Sequence, residues 1–241
     1  MDTTQSTSIS SKWASFARST LGRHIIVIGI AAGLVAIFAQ VHGQWSAMHK
    51  WNRAIGDASL VLVALSFGLG PLARLYRRAS KVLAYRREMG IYACLLAIGH
   101  GVIILVGWVE YDLMRLFGFE WHPGLQNYVM SQQGFGLGNA IGIVALVLVL
   151  VLAVTSSDFA LRKLGTSGWK FIQMGVLPLW WLTIAHVGYF LFAHFLSFHR
   201  QTPEPNPLQM PFAILVVGVL VLRGAAYILT VRSKNRRAAP A

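Results

Sequence analysis

Six apolar runs separated by polar links organise the 241-residue chain. They cover about Ile25 to Val41, Ala54 to Leu75 (with Pro71 near its end), Gly90 to Trp108, Gly138 to Thr155, Phe171 to Phe195 and Pro211 to Thr230. At 1.5 Å per residue, each approaches or exceeds the helix length needed to cross roughly 30 Å of hydrocarbon. In lipid a backbone must satisfy its polar groups within the segment, which favours continuous helix. The pattern therefore predicts an all-α fold: a polytopic bundle of six transmembrane helices over residues 25–231. A polar tail (1–24) precedes it and a basic tail (232–241) follows. The first run exceeds the apolar part of a typical signal peptide and lacks a clear cleavage site, so it is read as a retained helix. The longest link, Val109 to Gly136, contains Leu113-Met114-Arg115-Leu116-Phe117, which predicts a short helix lying in the membrane interface.

Composition agrees. Apolar residues make up 56% of the chain and charged residues 12%, against roughly a quarter charged in a soluble domain. The net charge of +13 would fit nucleic acid, but its placement argues otherwise. Lys12, Arg18 and Arg23 lie in the first tail. Arg74, Arg77, Arg78, Lys81, Arg86 and Arg87 fill the second link. Arg162, Lys163 and Lys170 lie in the fourth, and Arg232, Lys234, Arg236 and Arg237 in the last tail. The alternate links hold only Lys50, Arg53, Arg115 and Arg200. This bias predicts that both termini are cytoplasmic. The single cysteine, Cys94, excludes an intrachain disulfide, a thiolate cluster and a CxxC redox pair.

Ionisable side chains at membrane depth point to function. His100 and His186 lie well inside the third and fifth runs, and His194 lies two turns beyond His186. His100 stands 13 residues past Arg87 and His186 stands 16 past Lys170, roughly 20 and 24 Å of helix. Ordinary helix tilts of about 20° absorb that difference, so the two imidazoles can share one level and one metal. Zinc recruits three or four protein ligands. Two histidines without nearby carboxylates suit an iron held in a porphyrin. Histidines that merely hydrogen-bond across a helix interface fit the same residues equally well. Arg223, within the sixth run, either pairs with a haem propionate or snorkels to the interface. Gly134, Gly136, Gly138 and Gly142 superficially resemble a nucleotide loop but read as close helix packing.

The residues from Ala54 to Phe195 carry a resemblance. Gly68-Leu69-Gly70-Pro71-Leu72 ends the second run, and Arg86-Arg87-Glu88-Met89-Gly90 enters the third, ahead of His100. Thr155-Ser156-Ser157, Leu161-Arg162-Lys163-Leu164-Gly165 and Trp169-Lys170-Phe171-Ile172 follow, then Gln173, Pro178 and His186. This ordered set resembles the ferric-reductase-like transmembrane family, which includes the haem-binding membrane subunit of the bacterial periplasmic methionine sulfoxide reductase system. The resemblance implies a haem with His100 and His186 as axial ligands to its iron. Gln173 stands where relatives carry a histidine for an inner haem, and Met114 stands where two-haem relatives carry another. One b-type haem is therefore expected, with His194, Met114 and Arg223 as further candidates around it.

The implied function is transmembrane electron transport by an oxidoreductase component of the bacterial inner membrane. Its donor would be a separate cytoplasmic flavoprotein or quinol, and its acceptor would lie on the outer side. Any flavin would belong to the partner. The alternative is a haem-free membrane subunit or assembly factor on the same scaffold.

Overall fold

The computed structural model describes residues 15–194 and 206–238, with side chains described to 236. Lys12, Phe195, His199, Arg200, the Arg237 side chain and the end of the basic tail lie outside the described residues.

All six expected spans are present as helices long and apolar enough to cross a membrane. Helix α1 is Thr20–Val41, started by Ser19, whose hydroxyl accepts from the Gly22 amide. Helix α2 is Ala47–Leu75. It starts seven residues before the expected Ala54, because the apolar run marks lipid depth while the helix continues through Lys50, Asn52 and Arg53. A 3-10 segment, Arg77–Tyr85, leads into α3, Arg86–Ile103, which continues as a π-helical turn over Ile104–Trp108. The expected short helix in the long link is α4, Leu113–Leu116. Asp112 caps it by accepting from the Met114 and Arg115 amides.

An antiparallel hairpin then appears that the hydropathy pattern did not foretell. Strands β1 (Phe119–His122) and β2 (Asn127–Met130) pair Phe119 with Met130 and Trp121 with Tyr128. Pro123 and Gly124 in the turn were the signal for it. Gly118, at φ +86°, bends the chain between α4 and β1. A side chain there would collide with the Gln132 carbonyl. The Tyr128 hydroxyl donates to Asp112 at 3.1 Å, and that bond raises the phenol pKa above its usual value.

Helix α5 is Gln133–Thr155. The fourth link is itself helical: α6, Asp158–Gln173, with Ser157 as N-cap. Gly165 breaks α6 at φ 68°. A basic stretch with its own cap and apolar side chains at helical spacing need not be a loop. Helix α7 is Val176–Gly188, followed by a π-helical turn over Tyr189–Ala193. Helix α8 is Gln209–Ala238.

Helix α2 is central, packing against α1, α3, α7 and α8. Half of its span is buried, against 17–22% for the others. Its buried Leu62, Phe67 and Leu69 join Ala93 of α3, Trp180 of α7 and Val219 of α8 in one core. A second cluster, Cys94, Ala145, Val149, Leu152 and Leu179, ties α3 to α5 and α7. Polar ties reinforce these contacts. Ser59 donates to the Ala93 carbonyl at 2.8 Å. Glu88, 1% exposed, accepts from Arg23 of α1 at 2.7 Å.

Removing one partner of a buried ion pair leaves an uncompensated charge, at a cost of about 3–5 kcal/mol. Arg23→Ala is therefore expected to lower thermal stability in detergent strongly. Arg23→Ala combined with Glu88→Gln should recover most of the loss.

Candidate metal centre

His100 lies in the last turn of α3 and His186 in the last turn of α7. Their ring centroids are 6.2 Å apart, with planes at 87°. Each ring is anchored the same way. The His100 Nδ1 lies 2.9 Å from the Asn52 carbonyl of α2. The His186 Nδ1 lies 2.8 Å from the Gly138 carbonyl of α5. A carbonyl only accepts, so both Nδ1 atoms carry the proton and donate it. The lone pair of each ring is therefore on Nε2, on the edge turned away from the anchoring carbonyl. Neither Nε2 hydrogen-bonds another described residue.

A shared backbone device makes both anchors possible. The residue four positions after each accepting carbonyl is glycine: Gly56 follows Asn52, and Gly142 follows Gly138. In a helix the Cα–Cβ bond tilts toward the N-terminus, so residue i+4 covers residue i. A Cβ on Gly56 would stand 3.0 Å from the His100 Nδ1. One on Gly142 would stand 2.6 Å from the His186 Cε1 and 2.7 Å from its Nδ1. The missing side chains leave the carbonyls open to the imidazoles. The glycines of α5 thus do admit a close neighbour, but at Gly142 that neighbour is a histidine ring. Gly134 and Gly138 similarly face Tyr189 and Phe190.

Both histidine-bearing helices change to a π-helical turn just after the histidine. Such turns concentrate at functional sites, since they re-aim side chains within a helix. The Phe190 ring lies 5.1 Å from the His186 ring.

The other candidates lie elsewhere. His194 packs among Phe135, Tyr189 and Phe190, with centroids 5.5–6.1 Å away. Met114 sits on α4 and is 40% exposed. Arg223 lays its guanidinium on the Phe67 ring at 3.8 Å. Gln173 donates to the Thr155 hydroxyl at 3.1 Å and weakly to the Leu152 carbonyl at 3.4 Å. Trp180 is buried against Phe67, whereas Trp181 is exposed.

Sequence reasoning missed Asn52 and Gly56, because a backbone carbonyl has no side-chain signature. It also passed over the pairing of His42 with Asp57 at 2.7 Å, where His42 is 2% exposed. The placement of both residues near the end of a span was the available clue.

The pair satisfies simple tests for an iron porphyrin. Two imidazoles bound on opposite sides of one metal, each at about 2 Å, have centroids roughly 6 Å apart. Metal-binding histidines typically donate their other ring N–H to a carbonyl or carboxylate, which fixes the tautomer. Among the described residues, no three His, Cys, Asp or Glu side chains converge as a metal site.

A family model described as ferric reductase like transmembrane component matches residues 55–192. The chain belongs to this family. The ferric reductase-like segment encloses Gly56, His100, Gly138, Gly142 and His186. Curated relatives include the protein-methionine-sulfoxide reductase heme-binding subunit MsrQ of Bordetella parapertussis. It is 30% identical over 136 residues, 56% of this chain and 58% of that protein. The protein of the same name from Herminiimonas arsenicoxydans is 25% identical over 139 residues, 54% and 57% of the two chains. An uncharacterized protein of Treponema pallidum is 29% identical over 111 residues, 46% of this chain and 28% of that one. The chain thus spans less than three fifths of the length of these relatives.

The glycine device gives a differential expectation. Gly142→Ala should destabilise the protein by about 1–3 kcal/mol through overpacking. Gly29→Ala, with open space around the new methyl group, should be neutral or slightly stabilising. Paired thermal melts in one detergent compare the two.

Proposed function

We propose that this chain is a b-type haem protein that carries electrons across the membrane, with His100 and His186 as axial ligands to one iron. The observation that carries this reading is the matched anchoring of the two rings. Both Nδ1–H groups are committed to backbone carbonyls. Both Nε2 lone pairs are left available within one 6.2 Å pair of rings. When bound, the haem supplies one-electron redox chemistry. The chain's residues hold its ligands in orientation and keep their surroundings apolar.

The names of the MsrQ relatives support a haem cofactor. The hydrogen bonds of Gln173 to Thr155 and Leu152 support a single haem, because they commit to helix ends the side chain that replaces a ligand. The charge bias along the chain supports cytoplasmic termini in a bacterial inner membrane. On that orientation the donor, a flavoprotein or a quinol, approaches the basic end. The acceptor lies beyond the end that carries α4 and the hairpin. Any flavin belongs to the donor.

Purified protein supplied with haem is expected to bind one b-type haem per chain and to show a dithionite-reducible spectrum. His100→Ala and His186→Ala should each abolish it, whereas Met114→Ala and His194→Ala should retain it. A colourless preparation, or full haem content in both ligand variants, would exclude the reading.

A further inference from the structure

The end of the bundle that carries the basic links contains an arginine group that the redox reading does not use. Phe67, Gly70 and Arg74 follow one another at spacings of three and four residues, so they share one face of α2. Arg223 of α8 lies on the Phe67 ring at 3.8 Å. Arg86, at the start of α3, brings its Nη1 to 3.9 Å from where a Gly70 side chain would begin. Arg74 lies one turn beyond Gly70. The three guanidinium groups thus converge from three helices, and each is within electrostatic reach of the other two.

The six described carboxylates are all engaged elsewhere. Asp57 pairs with His42, Glu88 with Arg23, Glu110 with Arg115 and Asp158 with Arg87. Asp112 binds Tyr128 and Glu120 binds Gln132. Asp2 and Glu204 lie outside the described residues. Two like charges gathered beside the half-buried Arg223 repel it and each other, and an anion would relieve that repulsion.

We propose that Arg74, Arg86 and Arg223 form a binding site for a phosphate group at the membrane boundary, carried by an anionic phospholipid or by a soluble phosphate compound. Guanidinium forks match phosphate oxygens in geometry and charge. Stacking on Phe67 holds Arg223 in place before the ligand arrives. This site is separate from the histidine pair. Arg86 and His100 are 14 residues apart on α3, roughly 21 Å, farther than the carboxylates of a porphyrin centred on that pair extend.

The test reconstitutes the full chain in phosphatidylcholine nanodiscs containing a minor fraction of phosphatidylglycerol. Native mass spectrometry then counts the lipids retained on release. A second arm titrates inorganic pyrophosphate against protein in phosphatidylcholine alone. Retention of one phosphatidylglycerol, reduced about tenfold or more in Arg74→Gln and Arg223→Gln, establishes the site with a lipid source. Saturable pyrophosphate binding with the same losses establishes it with a soluble source. Arg223→Lys should show intermediate binding in whichever arm responds. Arg74 is exposed, so Arg74→Gln keeps the test decisive if the Arg223 variants fold poorly. Equal behaviour of wild type and Arg74→Gln in both arms overturns the proposal. Because neither readout involves haem, it succeeds or fails independently of the redox assignment.

Discussion

Two hydrogen bonds from imidazole to backbone, each admitted by a glycine one turn further along the accepting helix, define the centre of this protein. A histidine at membrane depth is costly unless its polar atoms are satisfied. The Asn52 and Gly138 carbonyls satisfy one nitrogen of each ring and thereby decide what the other nitrogen can do. Had Nε2 been anchored instead, the free lone pair of each ring would sit on Nδ1. The bonds therefore act at once as local stabilisation and as a choice of tautomer, which links packing to chemistry.

The remaining architecture holds four helices at the spacing those bonds require. Helices α3 and α7 carry the rings, while α2 and α5 supply the carbonyls. The buried α2 core fixes α3 and α7 on one side. The cluster around Cys94 and Val149 fixes α5 on the other. A shift of an ångström between these helices would break an anchor. This explains why small residues lie at Gly56 and Gly142, whereas Gly29 and Gly33 have open space around them.

Hydropathy made the six spans legible because lipid penalises polar residues so strongly that the pattern survives local irregularity. The same pattern said little about where helices end. It placed the start of α2 seven residues late and treated the helical α6 as a link, since helix propensity continues past the lipid boundary. The hairpin after α4 was signalled only by Pro123-Gly124. At the centre, the histidines stood out because they are ionisable, and helix rise placed them at similar depths. Their anchors did not stand out, because a carbonyl is present at every position and a glycine before a histidine on another helix leaves no local signature. Gln173 stood out by departing from a recurring motif. Its side chain ties the end of α6 back to Thr155 at the end of α5.

The near-perpendicular ring planes, at 87°, have a spectroscopic consequence. Ferric iron bound by two imidazoles is low-spin, and perpendicular ligand planes give a strongly anisotropic electron paramagnetic resonance signal dominated by one large g value. Frozen-solution spectra of the oxidised protein should show that signal from nearly all of the bound iron. A high-spin axial signal from five-coordinate iron in the intact protein would contradict joint ligation by His100 and His186.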